Sequence, residues 1–230
     1  MEPREPNVSV LEAWQGKFRA FPHSLSHPSP PSTEAPNFGR SYALARTCLN
    51  RAVLADVPRS IRVLEVGVDK GVQLRCLASL GFHNTTGTHV QRDAMRHACE
   101  QVPSAAGVQA SGLHLPFRDG AFDMVCTSGL MTALCDGRLE RLMRELYRCS
   151  NRWLWGWEPF TGECPGWSSA LHPAARRKSV DFADAWRQAF PDLFAVRVQR
   201  LPGSLPGEGF QMFLLEKGGA GARVSPRPRR

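Results

Sequence analysis

The chain has 230 residues, of which 42% are hydrophobic, so it is long enough for one sizeable core and short for two. No apolar run of about 18 residues occurs, and the first residues lack the apolar centre of a signal peptide. We therefore expect a soluble, cytoplasmic protein without a membrane partner. The seven cysteines form no C-x-x-C pair, which argues against a zinc site, so no metal is predicted.

The formal net charge of +8 permits a nucleic-acid partner, because basic surfaces neutralise phosphates. Four of the arginines, however, lie in the Gly- and Pro-rich segment 218–230, whose composition predicts a disordered basic tail. Much of the excess charge is then outside the folded domain. A positive field would equally attract a small acidic substrate, so a small molecule is the expected partner and nucleic acid is not.

The segments before the domain differ in composition from the rest. Residues 1–21 include apolar side chains from Val10 to Phe18 that share one helical face, which predicts a docking helix or lid. Residues 22–37 contain five prolines and several serines, which is typical of a linker. The domain itself is expected over residues 38–217.

From Tyr42 onwards, helices and strands alternate. The predicted order is a helix to about Asp56, strand Ile61–Val66, a helix after Gly71, strand Thr85–Val90, helix Asp93–Gln101, a strand at Val108, strand Phe122–Thr127, helix Arg138–Cys149, strand Trp153–Trp157, helix Phe182–Phe190, and strands Leu193–Leu201 and Phe210–Glu216. Such alternation predicts a mostly parallel, seven-stranded sheet with helices on both faces. The last two strands lack a helix between them and should form an antiparallel hairpin.

The first strand leads into a turn that could hold a ligand. Glu65 precedes the segment Gly67–Gly71, where small residues let the backbone approach a bound molecule closely. A dinucleotide fingerprint would need glycines where the chain has Asp69 and Val72, so pyrophosphate is disfavoured. An acid at Glu65 instead suits a cationic ligand, such as the sulfonium and amino groups of S-adenosylmethionine. A strand-to-helix turn without a ligand is the alternative.

Two stretches here resemble a known class of enzymes. Residues 64–67 with Gly71, and the run Leu115–Val125, are similar to motifs of class I S-adenosylmethionine-dependent methyltransferases. Within that class, four further segments resemble the pseudaminic acid biosynthesis-associated methylases, namely residues 14–18, 127–132, 144–150 and 178–182 leading to 190–193. The resemblance implies an α/β, Rossmann-like fold, S-adenosylmethionine as cofactor, and a small acidic or sugar-derived acceptor. A catalytically weak or inactive binding protein and an RNA methyltransferase are the two alternatives.

The resemblance also implies a set of cofactor contacts. They fall on Glu65, Gly67, Val68, Asp69, Gly71, His89, Val90, Ser111, Gly112, Leu113 and Thr127. Most such enzymes end the second strand in an acid that clasps both ribose hydroxyls, and this chain has His89 there. The residue that often binds the adenine amino group, usually Asp, falls on Ser111. A neutral imidazole or hydroxyl makes fewer charge-assisted bonds, so weaker cofactor binding is expected.

The acceptor side carries no specific motif. Methyl transfer depends mainly on holding the acceptor close in a desolvated pocket, and a base helps only when the acceptor is a hydroxyl. The candidates for that base are Glu158, His114 and His172. Substrate contacts are predicted for Trp157, Arg176, Arg177 and Lys178. The basic run suits a carboxylate or phosphate but also fits a solvated face, and Trp157 could equally be core.

Overall fold

The computed structural model describes residues 46–134, 138–160, 181–202 and 209–218. The predicted docking helix, the Pro-rich linker and the basic tail beyond residue 218 lie outside these residues. So does the segment that contains His172, Arg176, Arg177 and Lys178. The boundaries expected for these four regions therefore stay predictions.

The described chain contains six helices and seven strands, numbered here in chain order. The helices are α1 over residues 46–53, α2 Val72–Ser79, α3 Arg92–Gln101, α4 Leu130–Ala133, α5 Leu139–Cys149 and α6 Phe182–Ala189. The strands are β1 Val63–Val66, β2 Thr85–His89, β3 Ala106–Gln109, β4 Phe122–Ser128, β5 Ser150–Phe160, β6 Leu193–Pro202 and β7 Gly209–Lys217.

All seven strands form one sheet in the order β3-β2-β1-β4-β5-β7-β6. Strands β1 to β5 pair in parallel with their neighbours, whereas β7 is antiparallel to both β5 and β6. The predicted mostly parallel sheet with a C-terminal antiparallel pair is confirmed. The strand order reverses between β1 and β4, and in open sheets of this kind such a reversal leaves a crevice at the carboxyl ends of the strands.

Alternate side chains of strands β1, β4, β5 and β7 enter two different apolar layers. Leu64 and Val66 of β1 pack on the side of α5 and α6, while Val63 belongs to the layer that includes α1. The tryptophans of β5 lie in this second layer and are buried, as Trp153 and Trp155 were predicted to be. Each fully buried apolar side chain stabilises the fold by about 2 kcal/mol, so both layers hold the sheet in place.

Arg148 on α5 fixes the loop that leads into β4. Its guanidinium donates to the main-chain oxygens of Leu115 and Phe117 at 3.1 and 2.5 Å. It also pairs at 2.9 Å with Glu145, whose carboxylate accepts from the Leu115 amide at 2.7 Å. The hydrogen bond from Arg148 lowers the pKa of Glu145, so this carboxylate stays ionised. Two of the motifs singled out from the sequence are thus bonded to each other.

The structure differs from the sequence prediction in two local respects. Strand β5 runs from Ser150 to Phe160, longer than the predicted Trp153–Trp157, because Ser150 at its start pairs with Phe122 of β4 and residues 158–160 at its end pair with β7. The short helix α4 was not predicted. It has only four residues and begins after Gly129, whose φ of 72° is left-handed, so it carries no helical periodicity to detect.

Candidate functional site

The carboxyl ends of three strands meet at one edge of the sheet. Val66 of β1 lies between Thr88 of β2 and Thr127 of β4 in the strand register. Thr127 in turn pairs with Gly156 of β5. The turn after β1, the end of β2 and the segment after β4 are therefore brought together, as the resemblance implied.

The turn after β1 has a backbone that side chains tolerate poorly. Gly67 and Gly71 have φ of 84° and 69°, and Asp69 between them has φ of 43°. A Cβ atom at Gly71 would lie 3.1 Å from Ala98 on α3. The amides of Gly67 and Val68 both donate to the Thr88 oxygen, at 2.8 and 3.0 Å, which ties the turn to β2. Glycines are needed here by conformation and by close packing.

Glu65 is a buried acid directly before this turn. Only 1% of it is exposed, and its Oε2 atom has no hydrogen-bond partner among the described residues. Burial raises the pKa of Glu65 to about 8, an effect that the nearby positive charge of Arg46 partly offsets. A buried carboxyl oxygen without a donor is costly, so this atom is available to a donor or cation from a ligand.

Arg46 on α1 lies in the same polar cluster, and sequence reasoning missed it. The residue is 5% exposed, and its guanidinium donates to Gln73 Oε1 at 2.9 Å and to Ser128 Oγ. It also lies over the Trp157 ring, 5.4 Å from the centroid. Asn50 completes the cluster by exchanging hydrogen bonds with Gln73. A buried arginine held by neutral partners keeps a positive charge close to Glu65.

The end of β2 presents His89 and Val90. The Nδ1 atom of His89 accepts from the Gln91 amide at 3.1 Å, so the proton of a neutral ring resides on Nε2. Val90 is 57% exposed, which is unusual for an apolar side chain, and its main-chain oxygen accepts from Gln109 at 3.0 Å. At the position predicted to bind the ribose, the Nε2 atom of His89 is therefore the donor that a ligand could meet, and the exposed side chain of Val90 lies beside it.

The segment Ser111–Leu113 follows β3 and lies beside the end of β1. Ser111 Oγ accepts from the Leu113 amide at 3.2 Å, and Ser111 forms an isolated bridge with His114. A Cβ atom at Gly112 would come within 3.0 Å of Val66 and 2.9 Å of Leu142. This close approach explains the glycine and brings the segment next to the end of β1.

Glu158 of β5 lies at the carboxyl end of the sheet, beside β4. It is fully buried and accepts from Thr127 Oγ1 at 2.9 Å, and from the amide and hydroxyl of Thr132 at 3.4 Å each. Burial raises its pKa to about 7, although these hydrogen bonds oppose the rise. The side chain therefore lies at the end of the sheet where a crevice is expected, and its role as a base stays a prediction.

The remaining candidates are less central. Trp157 is 2% exposed and stacks on Phe210, which supports core packing, although its ring also contacts Arg46. His114 is exposed at the surface of the Ser111 segment. Among the described residues there is no cluster of three or more His, Cys, Asp or Glu that could hold a metal ion.

Comparison with known proteins identifies the architecture. A family profile described as "Methyltransferase domain" matches residues 64–152, from β1 to the start of β5. A search of curated protein sequences gave no match. Solved structures, by contrast, match over most of the described sheet. The fold is that of a class I methyltransferase.

Three of these methyltransferase-fold structures illustrate the match. A geranyl diphosphate methyltransferase in complex with S-adenosylmethionine has a TM-score of 0.61 at 10% identity, covering 82% of this chain and 93% of that one. The cyclase SpnF has a TM-score of 0.59 at 16% identity, covering 76% and 82%. The magnesium protoporphyrin IX methyltransferase of Synechocystis PCC 6803 has a TM-score of 0.56 at 13% identity, covering 78% and 83%.

The profile match and the methyltransferase fold together support S-adenosylmethionine as the cofactor. They do not extend to the pseudaminic acid-associated family, and they leave the acceptor open, because one fold hosts many reactions. Within the described parts of the chain, no helix is both long and apolar enough to cross a bilayer.

Proposed function

We propose that the chain is an S-adenosylmethionine-dependent methyltransferase acting on a small acceptor. The single observation that carries this is the placement of Glu65 and Arg46 beneath the turn Gly67–Gly71. An unpartnered carboxyl oxygen and a buried guanidinium lie in one cluster, directly before a glycine-containing turn at the carboxyl end of β1.

This pair of opposite charges fits the amino-acid end of the cofactor. The ammonium group of the cofactor would bind the unpartnered carboxyl oxygen of Glu65, and the cofactor carboxylate would lie toward Arg46. Each group then gains an opposite charge in a site of low dielectric. Arg46 keeps its hydrogen bonds to neutral partners, so its charge is not consumed by a salt bridge among the described residues. A dinucleotide pyrophosphate would instead meet Glu65 with like charge.

The other end of the cofactor is assigned to the β2 side of the crevice. We assign the ribose to His89 and the adenine to the surface between Val90 and Leu113, with Ser111 and Gly112 behind it. One imidazole donor replaces the two acceptor oxygens of an acid, so the ribose contact is expected to be weaker than in enzymes with Asp or Glu at this position. Val68, Asp69 and Thr127 complete the proposed set.

When bound, the cofactor supplies a methyl group on a positively charged sulfur. The chain's own contribution is to position the acceptor at the ends of β4 and β5 and to exclude water there. Of the two described base candidates, Glu158 lies within the buried crevice and His114 is exposed. His172 and the basic run Arg176–Lys178 lie outside the described residues.

The acceptor class rests on the resemblance to pseudaminic acid-associated methylases and on the basic run, which both favour a small acidic or sugar-derived molecule. A non-catalytic binding protein and an RNA methyltransferase are the competing functions, and no contact in the described chain favours either. Transfer of labelled methyl groups to nucleotide-activated sugars, small acids and total RNA, run in parallel, tests the acceptor class. Methylation of RNA alone would overturn it.

Calorimetry tests the cofactor site itself. We expect S-adenosylmethionine and its demethylated product to bind the wild-type protein, and Gly71→Val to abolish binding, because a side chain there is strained at φ 69° and collides with α3. Gly81→Ala is the matched control, since Gly81 also has a positive φ but lies just after α2, where a Cβ would make only an ordinary contact with Arg59 at 3.8 Å. Absence of binding at millimolar ligand, in a folded sample, would contradict the proposal.

A further inference from the structure

We propose that Glu158 is a positioning residue, which holds the short helix α4 against the cofactor turn through its ionised carboxylate. The observation behind this is a pair of tethers between β5 and the start of α4. The Gly129 amide donates to the Trp157 oxygen at 2.9 Å, and the Glu158 carboxylate accepts from Thr132. This inference rests on the proposed function, because the effect expected of Glu158 is on cofactor binding.

Helix α4 has no cap of its own. The residue before it is Gly129, which has no side chain to accept from the first amides, so a partner from elsewhere must satisfy them. Glu158 does this from the neighbouring strand, with hydrogen bonds from the backbone at Met131 and Thr132. Thr127 Oγ1 donates to the other carboxylate oxygen at 2.9 Å and fixes its direction.

Helix α4 positions the side chain of Leu130. The side chain of Leu130 lies against the cofactor turn, with its Cδ2 atom 3.2 Å from where a Cβ of Gly67 would be. The same atom lies 3.6 Å from the corresponding position at Gly112. Leu130 therefore fills the space between the two backbone segments assigned to the cofactor. A shift of α4 would move this contact and change the shape of the crevice.

The carboxylate form is the one that can accept all of these bonds. Helix α4 carries no titratable side chain, and no ion pair to Glu158 exists among the described residues. Helix α5 also packs on β4 and β5, and its ionisable residues have partners elsewhere: Glu140 pairs with Arg144, Glu145 with Arg148, Arg141 donates to the Leu113 oxygen, and Tyr147 donates to Asp192. The titratable or charged groups on strands β4, β5 and β7 and on helix α6 are Asp123, Cys126, Arg152, Glu216, Lys217, Asp184 and Arg187. Five of these residues form ion pairs away from Glu158, namely Asp123, Arg152, Glu216, Asp184 and Arg187. Lys217, at the far end of β7, donates to two main-chain oxygens. Cys126 faces the opposite apolar layer.

Two further charged residues lie on neighbouring elements. Glu65 on β1 is in register with Cys126 of β4, and Arg46 on α1 donates to Ser128 of β4. Glu65 also has a raised pKa, of about 8, so the pH effect of Glu158 must be measured against it. Since burial brings the pKa of Glu158 to about 7, its carboxylate is present at pH 8.5 and mostly protonated at pH 6. The tether is accordingly complete in mild alkali and weakened in mild acid.

The test compares wild type with Glu158→Gln across pH. We expect the dissociation constant for S-adenosylmethionine to be about fivefold higher in the variant at pH 8.5, the size of a lost helix cap, and equal to wild type at pH 6. The contribution of Glu65 is common to both proteins and cancels in the ratio. A ratio that is constant with pH would overturn the role of the ionised carboxylate.

Amide hydrogen exchange provides a readout that needs no cofactor. We expect exchange at residues 129–133 of the unliganded protein to be faster in Glu158→Gln than in wild type at pH 8.5, with little difference at pH 6. Failure of the wild type to bind cofactor would count against the proposed function, whereas unchanged exchange would count against this inference.

Leu130→Ala supplies a second variant. It should weaken cofactor binding at pH 8.5, where the tether holds the Leu130 contact in place, and less at pH 6, where the tether is already weakened. Unaltered affinity in this variant would show that α4 does not shape the crevice and would overturn the proposal, even if Glu158→Gln does not fold.

Discussion

Replacing the buried acid Glu65 with glutamine should make the unliganded protein less sensitive to alkaline pH. Burial raises the pKa of Glu65 from its ordinary 4.5 to about 8, so the folded state binds this proton more tightly than the unfolded state. For such a group, stability is fully present below pH 4.5 and is lost as pH rises through 8. The pKa difference corresponds to about 5 kcal/mol of unfolding free energy, a large part of the stability of an ordinary domain.

Denaturant unfolding at several pH values between 4.5 and 8.5 measures this loss. The wild-type curve should fall with pH, and the Glu65→Gln curve should lack that part of the fall, because an amide does not ionise. Glu100→Gln is the control, since Glu100 is an exposed acid on α3 and its removal leaves the fall in place. Parallel curves for wild type and Glu65→Gln would refute the reasoning, because they would mean that Glu65 is hydrated in solution.

The same substitution should act in the opposite direction on the cofactor. Glu65→Gln removes the carboxylate that the proposed site offers to an ammonium group, so binding above pH 8, where Glu65 is ionised, should weaken by about 2 kcal/mol, or roughly thirtyfold, by calorimetry. A variant that is more stable at pH 8 yet binds poorly would indicate that the buried acid is retained for binding rather than for folding.

Three further outcomes follow from single contacts. Arg148→Met should lower the unfolding free energy by about 2 to 4 kcal/mol in denaturant melts, because it leaves Glu145 and two main-chain oxygens without their donor; a change below about 0.5 kcal/mol would show that the loop is held otherwise. His89→Asp should tighten cofactor binding in calorimetry by restoring two acceptor oxygens for the ribose, and weaker binding would assign a favourable contact to the imidazole. Gly156→Val should prevent folding, as judged by circular dichroism, since a Cβ there would lie 2.2 Å from the Phe213 ring, and a normal spectrum would show that β5 and β7 can separate locally.

The strands could be predicted because each is a short apolar run with turn residues on both sides, and alternation with helices then determines a parallel sheet. The turn Gly67–Gly71 could also be predicted, because glycines directly after a strand indicate a backbone that is left-handed or closely packed. The face of the sheet on which a tryptophan packs was harder to predict. Trp157 could only be assigned to the core once the α1 layer was known.

Arg46 and helix α4 could not be predicted, for different reasons. An arginine in an amphipathic helix is normally solvated, and the burial of Arg46 comes from partners 27 and 82 residues away in sequence. Helix α4 depends on the acid Glu158, which lies 26 residues after Thr132. Neither relation leaves a periodic signal, because both arise from tertiary contacts between separate elements.

The interior position of β7 has a consequence for synthesis on the ribosome. The last strand of the described chain lies between β5 and β6, so the tryptophan-bearing strand β5 has one unpaired edge until β7 is made. A nascent chain that has emerged only as far as residue 208 exposes that edge to other chains, where intermolecular strand pairing can begin. Translation must therefore pass Lys217 before the edge of β5 is covered, and a pause in the final codons of β7 would prolong the time for which this edge is exposed.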